Sequence, residues 1–202
     1  MKKQLRIGAD PFPPYQYYDD QKILRGSDFE HIRAAGTAAG FAMEFTIDEW
    51  SRVERMFYER QLDAVFQVQK TPEREKHFLF SKLLRNAVTE FITGRADMKA
   101  DSFEDLAAGA CRLGLMQNYA YGEPLDSLNP ALKTLYLDQE SLLVAIAAKE
   151  VDAGVFDQGV KDFLMEKLGI STVYTLAALS FLRPLYMAFH DSEIRDAFDR
   201  FL

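Results

Sequence analysis

Arg74 is the side chain in this sequence best suited to binding an anion. It follows Thr71-Pro72-Glu73, a pattern typical of a helix start, because Thr caps free N–H groups and Pro is favoured at the first helical position. A guanidinium in the first turn of a helix offers paired N–H donors to a carboxylate, and the helix dipole favours the same charge. Spacing alone leaves a second interpretation open, in which Arg74 is a surface residue paired with Glu73 or Glu75.

Asp157 is the corresponding candidate for binding a cation. It ends an apolar segment that begins at Val151 and is predicted to be a strand, so its carboxylate lies at the strand's carboxyl end, where open α/β sheets bind ligands. Capping a helix that begins at Gln158 is an ordinary role for Asp, and the two roles can coexist. Asp10, which ends the first predicted strand, is a second candidate, with an Asx-type turn before Pro11 as its alternative.

Aromatic and amide side chains provide further candidates for the walls of a binding site. Aromatic faces supply contact area and can hold a cation, although core packing is the commoner role of an aromatic residue. Gln67 and Gln69 are predicted to share one face of their strand, because side chains alternate along a strand. The remaining candidates lie at predicted turns, just beyond a strand or at the start of a helix: Tyr15, Trp50, Asn118, Tyr119 and Tyr121.

Catalytic and metal-dependent chemistry has little support in the sequence. The three histidines, His31, His77 and His190, are far apart and match no metal-binding spacing. The sequence contains no nucleophile elbow, phosphate-binding loop or dinucleotide motif, so we expect no enzyme activity, no cofactor and no metal. Cys111 is the single cysteine, which excludes an intrachain disulfide. A net charge of −7 argues against a nucleic-acid partner.

Predicted strands and helices alternate along the chain, which favours parallel α/β sheets. Two such series are joined by extended segments at residues 86–94 and 185–189. The predicted fold is therefore α/β with two lobes joined by a hinge of two crossing strands. Lobe 1 comprises residues 1–88 and 188–202, and lobe 2 is inserted as residues 89–187. We expect the ligand to bind in a cleft between them.

Helix starts are marked by local sequence patterns. Ser27 to Glu30 and Ser51 to Glu54 both match the S-x-x-E capping box. Gly40 is placed to end the first helix in a left-handed conformation. A further helix is predicted to begin near Tyr119 or Ala120.

Six segments, taken in order, carry a resemblance that covers nearly the whole chain. They are Leu5 to Tyr15 (LRIGADPFPPY), Gly26 to Glu30 (GSDFE), Leu62 to Ala64 followed by Thr71 to Arg74 (LDA…TPER), Phe80-Ser81, Leu113 to Gly122 (LGLMQNYAYG) and Val151 to Asp157 (VDAGVFD). The set resembles the family 3 extracellular solute-binding proteins, which have the type II periplasmic binding fold of polar amino-acid ABC importers. The resemblance implies that Arg74 binds a ligand's carboxylate, that Asp157 binds its ammonium group, and that Tyr15 and Trp50 are aromatic walls.

The sequence departs from the family pattern in three places, the third of which covers two residues. Gln61 lies where the family usually has Gly, Gln69 replaces a Ser or Thr whose hydroxyl helps to hold an amino acid, and Asn118-Tyr119 replace a Gly-Thr or Gly-Ser turn. Ligand selectivity is normally set at Gln69 and at Asn118-Tyr119. The expected solute is therefore a small carboxylate-bearing molecule, an amino acid or a relative of one.

The resemblance implies a monomeric periplasmic protein that captures this solute for an ABC transporter, with the membrane permease as its partner. No hydrophobic segment follows the basic start of the chain, so we expect an exported protein whose signal peptide has been removed. Two alternatives stay open. One is the ligand-binding sensor domain of a membrane signalling receptor, and the other is a cyclohexadienyl dehydratase-like enzyme of the same fold.

Overall fold

The computed structural model describes residues 3–117, 119, 121 and 123–202. The strands are β1 Gln4–Ala9, β2 Tyr17–Tyr18, β3 Leu24–Arg25, β4 Ala42–Ile47, β5 Ala64–Val68, β6 Leu79–Phe80, β7 Arg85–Thr93, β8 Leu113–Met116, β9 Lys133–Tyr136, β10 Ala153–Asp157, β11 Tyr174–Thr175 and β12 Phe181–Phe189. The α-helices are α1 Ser27–Ala38, α2 Trp50–Tyr58, α3 Pro72–Glu75, α4 Phe103–Ala108, α5 Gln139–Ala147, α6 Gln158–Leu168 and α7 Ser192–Phe198. Short 3₁₀ turns form at Pro130–Leu132 and Ala177–Leu179. The predicted alternation of strands and helices is confirmed.

The chain divides into two compact units. Unit 1 comprises Met1–Ala87 and Arg183–Leu202, and unit 2 comprises Val88–Leu182. The chain therefore leaves unit 1 within β7 and returns to it within β12. Among the residues that the structure describes, no helix has the length and apolar character needed to cross a membrane.

Unit 1 is built on a sheet with the strand order β4-β1-β5-β12. β1 runs parallel to β4 and β5, so Ile7 lies beside both Phe45 and Ala64, while β12 is antiparallel to β5. Alternation along β5 sends Ala64 and Phe66 into a core with α1 and α7, and Val65 into a second core with α2. The sheet is therefore covered by helices on both faces, as parallel strands require.

The start of α1 is capped by a distant backbone segment instead of the predicted capping box. Ser27 is already helical, its side chain forms no cap, and the N-cap residue is Gly26. The carbonyl of Tyr15 accepts the N–H groups of Asp28 at 3.0 Å and of Phe29 at 3.1 Å. Gly26 permits this close approach, because its φ is +124° and a Cβ there would lie 2.2 Å from the Tyr15 oxygen.

The capping box predicted at Ser51 is also wrong, because α2 begins one residue earlier, at Trp50. The Ser51 hydroxyl donates to the carboxylate of Glu49 at 2.8 Å, and Glu54 pairs with a residue outside the helix. By contrast, the predicted start at Thr71 is confirmed: its hydroxyl accepts the N–H of Arg74, and Pro72 is the first residue of α3.

Unit 2 is built on a second sheet, with the strand order β7-β10-β8-β9. β8 is parallel to β9 and β10, whereas β10 is antiparallel to β7, and β11 pairs with β7. The apolar helix predicted at residues 139–149 is confirmed as α5, which buries Leu142, Leu143 and Ile146.

The helix predicted near Tyr119 or Ala120 is not found in the described part of the β8–β9 connection. Tyr119 and Tyr121 lie outside any helix, residues 123–127 form turns, and Ala120 lies outside the described residues. The N–H of Tyr121 donates to the carboxylate of Asp126 at 3.1 Å. This bond gives the Tyr121 N–H a side-chain acceptor in place of the backbone carbonyl that a helix would supply.

Candidate functional site

Arg74 lies in unit 1, where three different groups contact its guanidinium. Nη2 donates to a carboxylate oxygen of Glu54 at 2.8 Å, Nη1 donates to the backbone carbonyl of Gln69 at 3.3 Å, and the Trp50 ring centre lies 5.4 Å from Cζ. The structure thus brings three predicted site residues together, namely Arg74, Trp50 and Gln69. The partner of Arg74 is Glu54, and neither of the two neighbours considered from spacing alone, Glu73 and Glu75, fills that role.

The elements that position this cluster are short and local. α2 begins at Trp50 and carries Glu54 one turn later, so both side chains lie on the same face of the helix. Gln69 follows the last residue of β5, and Thr71 caps the single turn of α3 that holds Arg74. Because α3 has only four residues, its dipole adds little, and the side chains themselves supply the electrostatics of the cluster.

A second cluster in unit 1 contains two other predicted residues, Tyr15 and Gln67. Gln67 Nε2 donates to the carboxylate of Asp28 at 2.8 Å and to the side-chain oxygen of Gln16 at 2.9 Å. Arg85 Nε donates to the same Asp28 oxygen at 2.8 Å, and its guanidinium carbon lies 3.5 Å from the Tyr15 ring centre. Asp28 and Gln16 are buried, so their hydrogen bonds are made away from bulk water.

Gln67 and Gln69 do not follow the alternation from which their shared face was predicted. Gln67 has a φ of +61°, in the left-handed region that non-glycine residues rarely adopt. The pairing of β5 with β12 is irregular here, with a shift between Tyr186 and Ala188. One consequence is that Val65 and Val68, three residues apart, pack into the same core. The period-two argument therefore fails at Gln67, and Gln69 lies beyond the strand.

Asp10 lies directly after β1, as the sequence predicts, and is partly buried. Its backbone carbonyl accepts a hydrogen bond from Gln16 Nε2 at 3.0 Å. This bond ties the end of β1 to the Gln16–Gln67 pair, so the peptide of Asp10 supports the second cluster.

In unit 2, Asp157 ends β10 and is buried, with 4% of its surface exposed. One carboxylate oxygen accepts the N–H groups of Gly159 at 3.0 Å and of Val160 at 3.4 Å, so Asp157 is the N-cap of α6. Asp157 therefore has the helix-capping role that the sequence offered beside ligand binding. A carboxylate has further lone pairs, so the cap does not use all of its capacity as an acceptor.

The other predicted residues of unit 2 lie in the β8–β9 connection. The Tyr121 hydroxyl accepts the N–H of Met116 at 2.8 Å, and the ring packs against the apolar core of the unit. The Tyr119 and Tyr121 rings lie 6.3 Å apart, and both residues are partly buried. Asn118 lies outside the described residues.

Four residues of these clusters were missed by the sequence reasoning, namely Gln16, Asp28, Glu54 and Arg85. Glu54 was assigned to a capping box, and Arg85 was assigned no role. Asp28 lies four residues before Ile32, on the buried face of α1, and a charged residue at such a position is a signal for a paired site. No comparable local signal marks Glu54 or Arg85, because their partners are distant in sequence.

Other reactive groups lie apart from these clusters. His190 Nε2 donates to the carbonyl of Phe57 at 2.8 Å, and burial lowers the pKa of the ring below its ordinary value of 6.5. Burial also raises the pKa of the Cys111 thiol, which does not favour a nucleophile. Among the described residues, no group of three or more His, Cys, Asp or Glu is arranged to hold a metal ion. A surface cavity of about 590 Å³, bounded in part by Arg60, Asp63 and His190, includes none of the predicted residues.

A sequence-family comparison decides the assignment. Residues 5–202 match the bacterial extracellular solute-binding proteins, family 3. The chain belongs to this family. A relative in Haemophilus influenzae, described as a probable amino-acid ABC transporter-binding protein, is 27% identical over 106 residues, which is 52% of this chain. The matched region spans 41% of that relative's length.

Solved structures show the same fold as this family 3 protein. A histidine kinase sensor domain with similarity to periplasmic binding proteins has a TM-score of 0.86 and 18% identity, covering 98% of this chain and 88% of the other. ArtJ from Geobacillus stearothermophilus, an arginine-, lysine- and histidine-binding protein, has a TM-score of 0.79 and 18% identity, covering 98% and 87%. The fold is the type II periplasmic binding fold, and the expected fold class and family are confirmed. The family is named for solute binding.

Proposed function

We propose that this protein binds a small carboxylate-bearing solute, an amino acid or a relative of one, and that Arg74 takes the carboxylate. The observation that carries the proposal is the environment of Arg74. Its side chain is 23% exposed, its guanidinium lies beside the Trp50 ring, and it follows β5, a largely buried strand, by six residues. A partly desolvated guanidinium next to an aromatic face is suited to holding a planar carboxylate through paired hydrogen bonds.

In this proposal Asp157 takes the cationic group of the solute while it continues to cap α6. Tyr15 and Trp50 supply aromatic contact area, and Gln69 supplies its side-chain amide. Gln67 supplies its side-chain oxygen, because its Nε2 already donates to Asp28 and Gln16. Asp10, Asn118, Tyr119 and Tyr121 complete the proposed set of ligand-binding residues. Binding is non-covalent, and no catalytic step is proposed.

The proposed partner is the membrane permease of an ABC transporter, and the proposed location is the periplasm, with the protein acting as a monomer. Support comes from the family, whose members are extracellular, and from the Haemophilus influenzae relative. A soluble binding protein of this kind delivers its solute by contacting the permease when loaded.

The test is a thermal-shift screen of the twenty common amino acids and a set of small organic acids. We expect a carboxylate-bearing solute to raise the Tm of the wild type, because a ligand that binds only the folded state stabilises it. Arg74→Ala should lose most of that shift. Arg52→Ala is the matched control, because Arg52 lies on α2, is 60% exposed and pairs with Asp48. Equal shifts in the wild type and Arg74→Ala would contradict the proposed site.

A second candidate function is the ligand-binding domain of a membrane signalling receptor. The similarity to the histidine kinase sensor domain supports it. The binding site would be the same, and ligand binding would lead to signalling instead of transport. The complete gene and its neighbours distinguish the two: adjacent permease genes favour transport, whereas a membrane helix and a signalling domain encoded in the same reading frame favour a sensor.

A further inference from the structure

Glu54 makes with Arg74 the kind of hydrogen bond that a ligand carboxylate would make. Its Oε1 accepts from Nη2 of Arg74 at 2.8 Å, which is the distance expected for a charge-assisted hydrogen bond to any carboxylate. Nη1 of the same guanidinium donates to the Gln69 carbonyl. Both terminal nitrogens of Arg74 therefore have an acceptor supplied by the protein.

The charge of Arg74 is accordingly compensated from within unit 1. A ligand carboxylate that approaches the same nitrogen meets the Glu54 carboxylate, and two like charges at one donor repel each other. Displacing Glu54 frees Nη2 for paired hydrogen bonds with the ligand and removes the competing charge. We propose that Glu54 sets the affinity of the site, because it competes internally with the ligand's carboxylate for Arg74. This inference rests on the proposed function.

The exposure of the pair makes the exchange feasible. The Glu54 side chain is 32% exposed, so a displaced carboxylate can regain water. Ion pairs that water reaches contribute little stability, because solvent screens the attraction and ordering two side chains has an entropic cost. The Asp28–Arg85 pair is different: its side chains are only 8% and 17% exposed, so separating them would leave charges poorly hydrated. Glu54 is therefore the exchangeable acceptor, and Asp28 is a structural one.

Competition of this kind has a quantitative signature. The apparent Kd equals the intrinsic Kd divided by the fraction of molecules in which Arg74 is available. Removing the charge of Glu54 raises that fraction, so Glu54→Gln should bind carboxylate ligands about two- to fivefold more tightly. Glu54→Gln should instead bind these ligands more weakly if Glu54 contacts a cationic group of the solute or holds Arg74 in place for binding.

Trp50 gives a direct readout, because it is the only tryptophan in the chain and its ring lies beside Arg74. The probes are the organic acids of the thermal-shift screen and the common amino acids other than tryptophan and tyrosine, which emit themselves. Each is titrated while Trp50 emission is followed. The variants are Glu54→Gln, Arg74→Ala and the control Glu59→Gln. Glu59 is an exposed residue at the end of α2 that accepts a hydrogen bond from Gln61.

Three outcomes are distinguishable. Tighter binding of a carboxylate ligand by Glu54→Gln, with wild-type affinity in Glu59→Gln, supports the inference. Unchanged or weaker binding by Glu54→Gln, with binding abolished in Arg74→Ala, overturns the inference and leaves the proposed function intact. No binding of any probe by the wild type or by Glu54→Gln overturns both. A thermal melt of each variant confirms that it is folded, and Glu54→Ala repeats the test if the Gln variant is unfolded.

Discussion

At the scale of single residues, two arginines in unit 1 have different roles. Arg85 is held by the buried carboxylate of Asp28, with Gln67 bonded to the same oxygen, so its position is fixed by a network whose acceptor is already inside the protein. Arg74 is paired with a carboxylate that is one third exposed. The second arrangement lets a ligand replace the partner without burying an unpaired charge, which supports the proposal that the ligand binds at Arg74.

His190 gives a residue-scale prediction about pH. Its ring packs 4.1 Å from the Phe57 ring centre and 5.5 Å from that of Phe78. Burial is the main cause of its lowered pKa, Arg60 lowers it further, and the Phe57 carbonyl and Asp63 act in the opposite direction. The ring is therefore harder to protonate in the folded protein than in the unfolded chain.

We expect the free energy of unfolding to fall as the pH drops below 6.5, the ordinary pKa of histidine. In that range the unfolded chain binds a proton that the folded protein does not, so protonation favours unfolding until the pH falls below the folded-state pKa. The effect should be small, because the ring is only partly buried. Urea denaturation at several pH values measures it. The His190→Gln variant keeps His31 and His77, so its free energy of unfolding should decrease less than that of the wild type as the pH falls. An identical decrease in the two proteins would contradict the assignment.

At the scale of elements, sequence patterns predicted those starts whose capping group is adjacent in the chain. Thr71 and Asp157 cap α3 and α6 as their sequences indicate. The starts predicted at Ser27 and Ser51 were wrong for different reasons. The Tyr15 carbonyl accepts the first N–H groups of α1, and α2 already begins at Trp50, one residue before Ser51. A local motif carries no information about a carbonyl twelve residues away, so this kind of error is expected.

Gly26 provides the element-scale prediction. Gly26→Ala should destabilise the protein by more than about 2 kcal/mol, because the new Cβ must move the Tyr15 carbonyl that caps α1, in addition to adopting an unfavourable φ. Denaturant unfolding monitored by circular dichroism measures the change.

Gly40→Ala is the matched control. Gly40 also has a positive φ, +88°, but a Cβ there meets nothing within 4 Å. The free energy of unfolding of this variant should fall by about 1 kcal/mol, the cost of a positive φ for a residue with a Cβ. Equal losses in the two variants would show that the contact with Tyr15 does not limit position 26.

At the scale of the whole molecule, the order of elements and motifs was sufficient to predict the fold and the family. The alternation of strands and helices predicted the α/β fold class, and the family match extends over residues 5–202. The candidate site was predicted less completely. Arg74, Trp50 and Gln69 do cluster, yet the partner of Arg74 was missed, since Glu54 lies twenty residues away and nothing in its neighbourhood marks the contact.

The departures from the family pattern explain why the ligand does not follow from the fold. Gln69 contributes its backbone carbonyl to Arg74, a group that every residue type possesses. What its side chain adds in place of a hydroxyl depends on the solute. The sensor domain and ArtJ share the fold with this chain but are each only 18% identical to it. The ligand selectivity therefore has to be measured on this protein.

The central claim is that Arg74 recognises a carboxylate. Isothermal titration calorimetry of the best solute from the screen, compared with its carboxamide analogue, tests this claim most directly. We predict that the wild type binds the carboxylate at least about tenfold more tightly than the amide, the discrimination expected for a hydrogen bond to a charged group. Arg74→Ala should lose this preference, and Arg74→Lys should keep part of it. An Arg74→Ala protein that still prefers the carboxylate to the same degree would contradict the account.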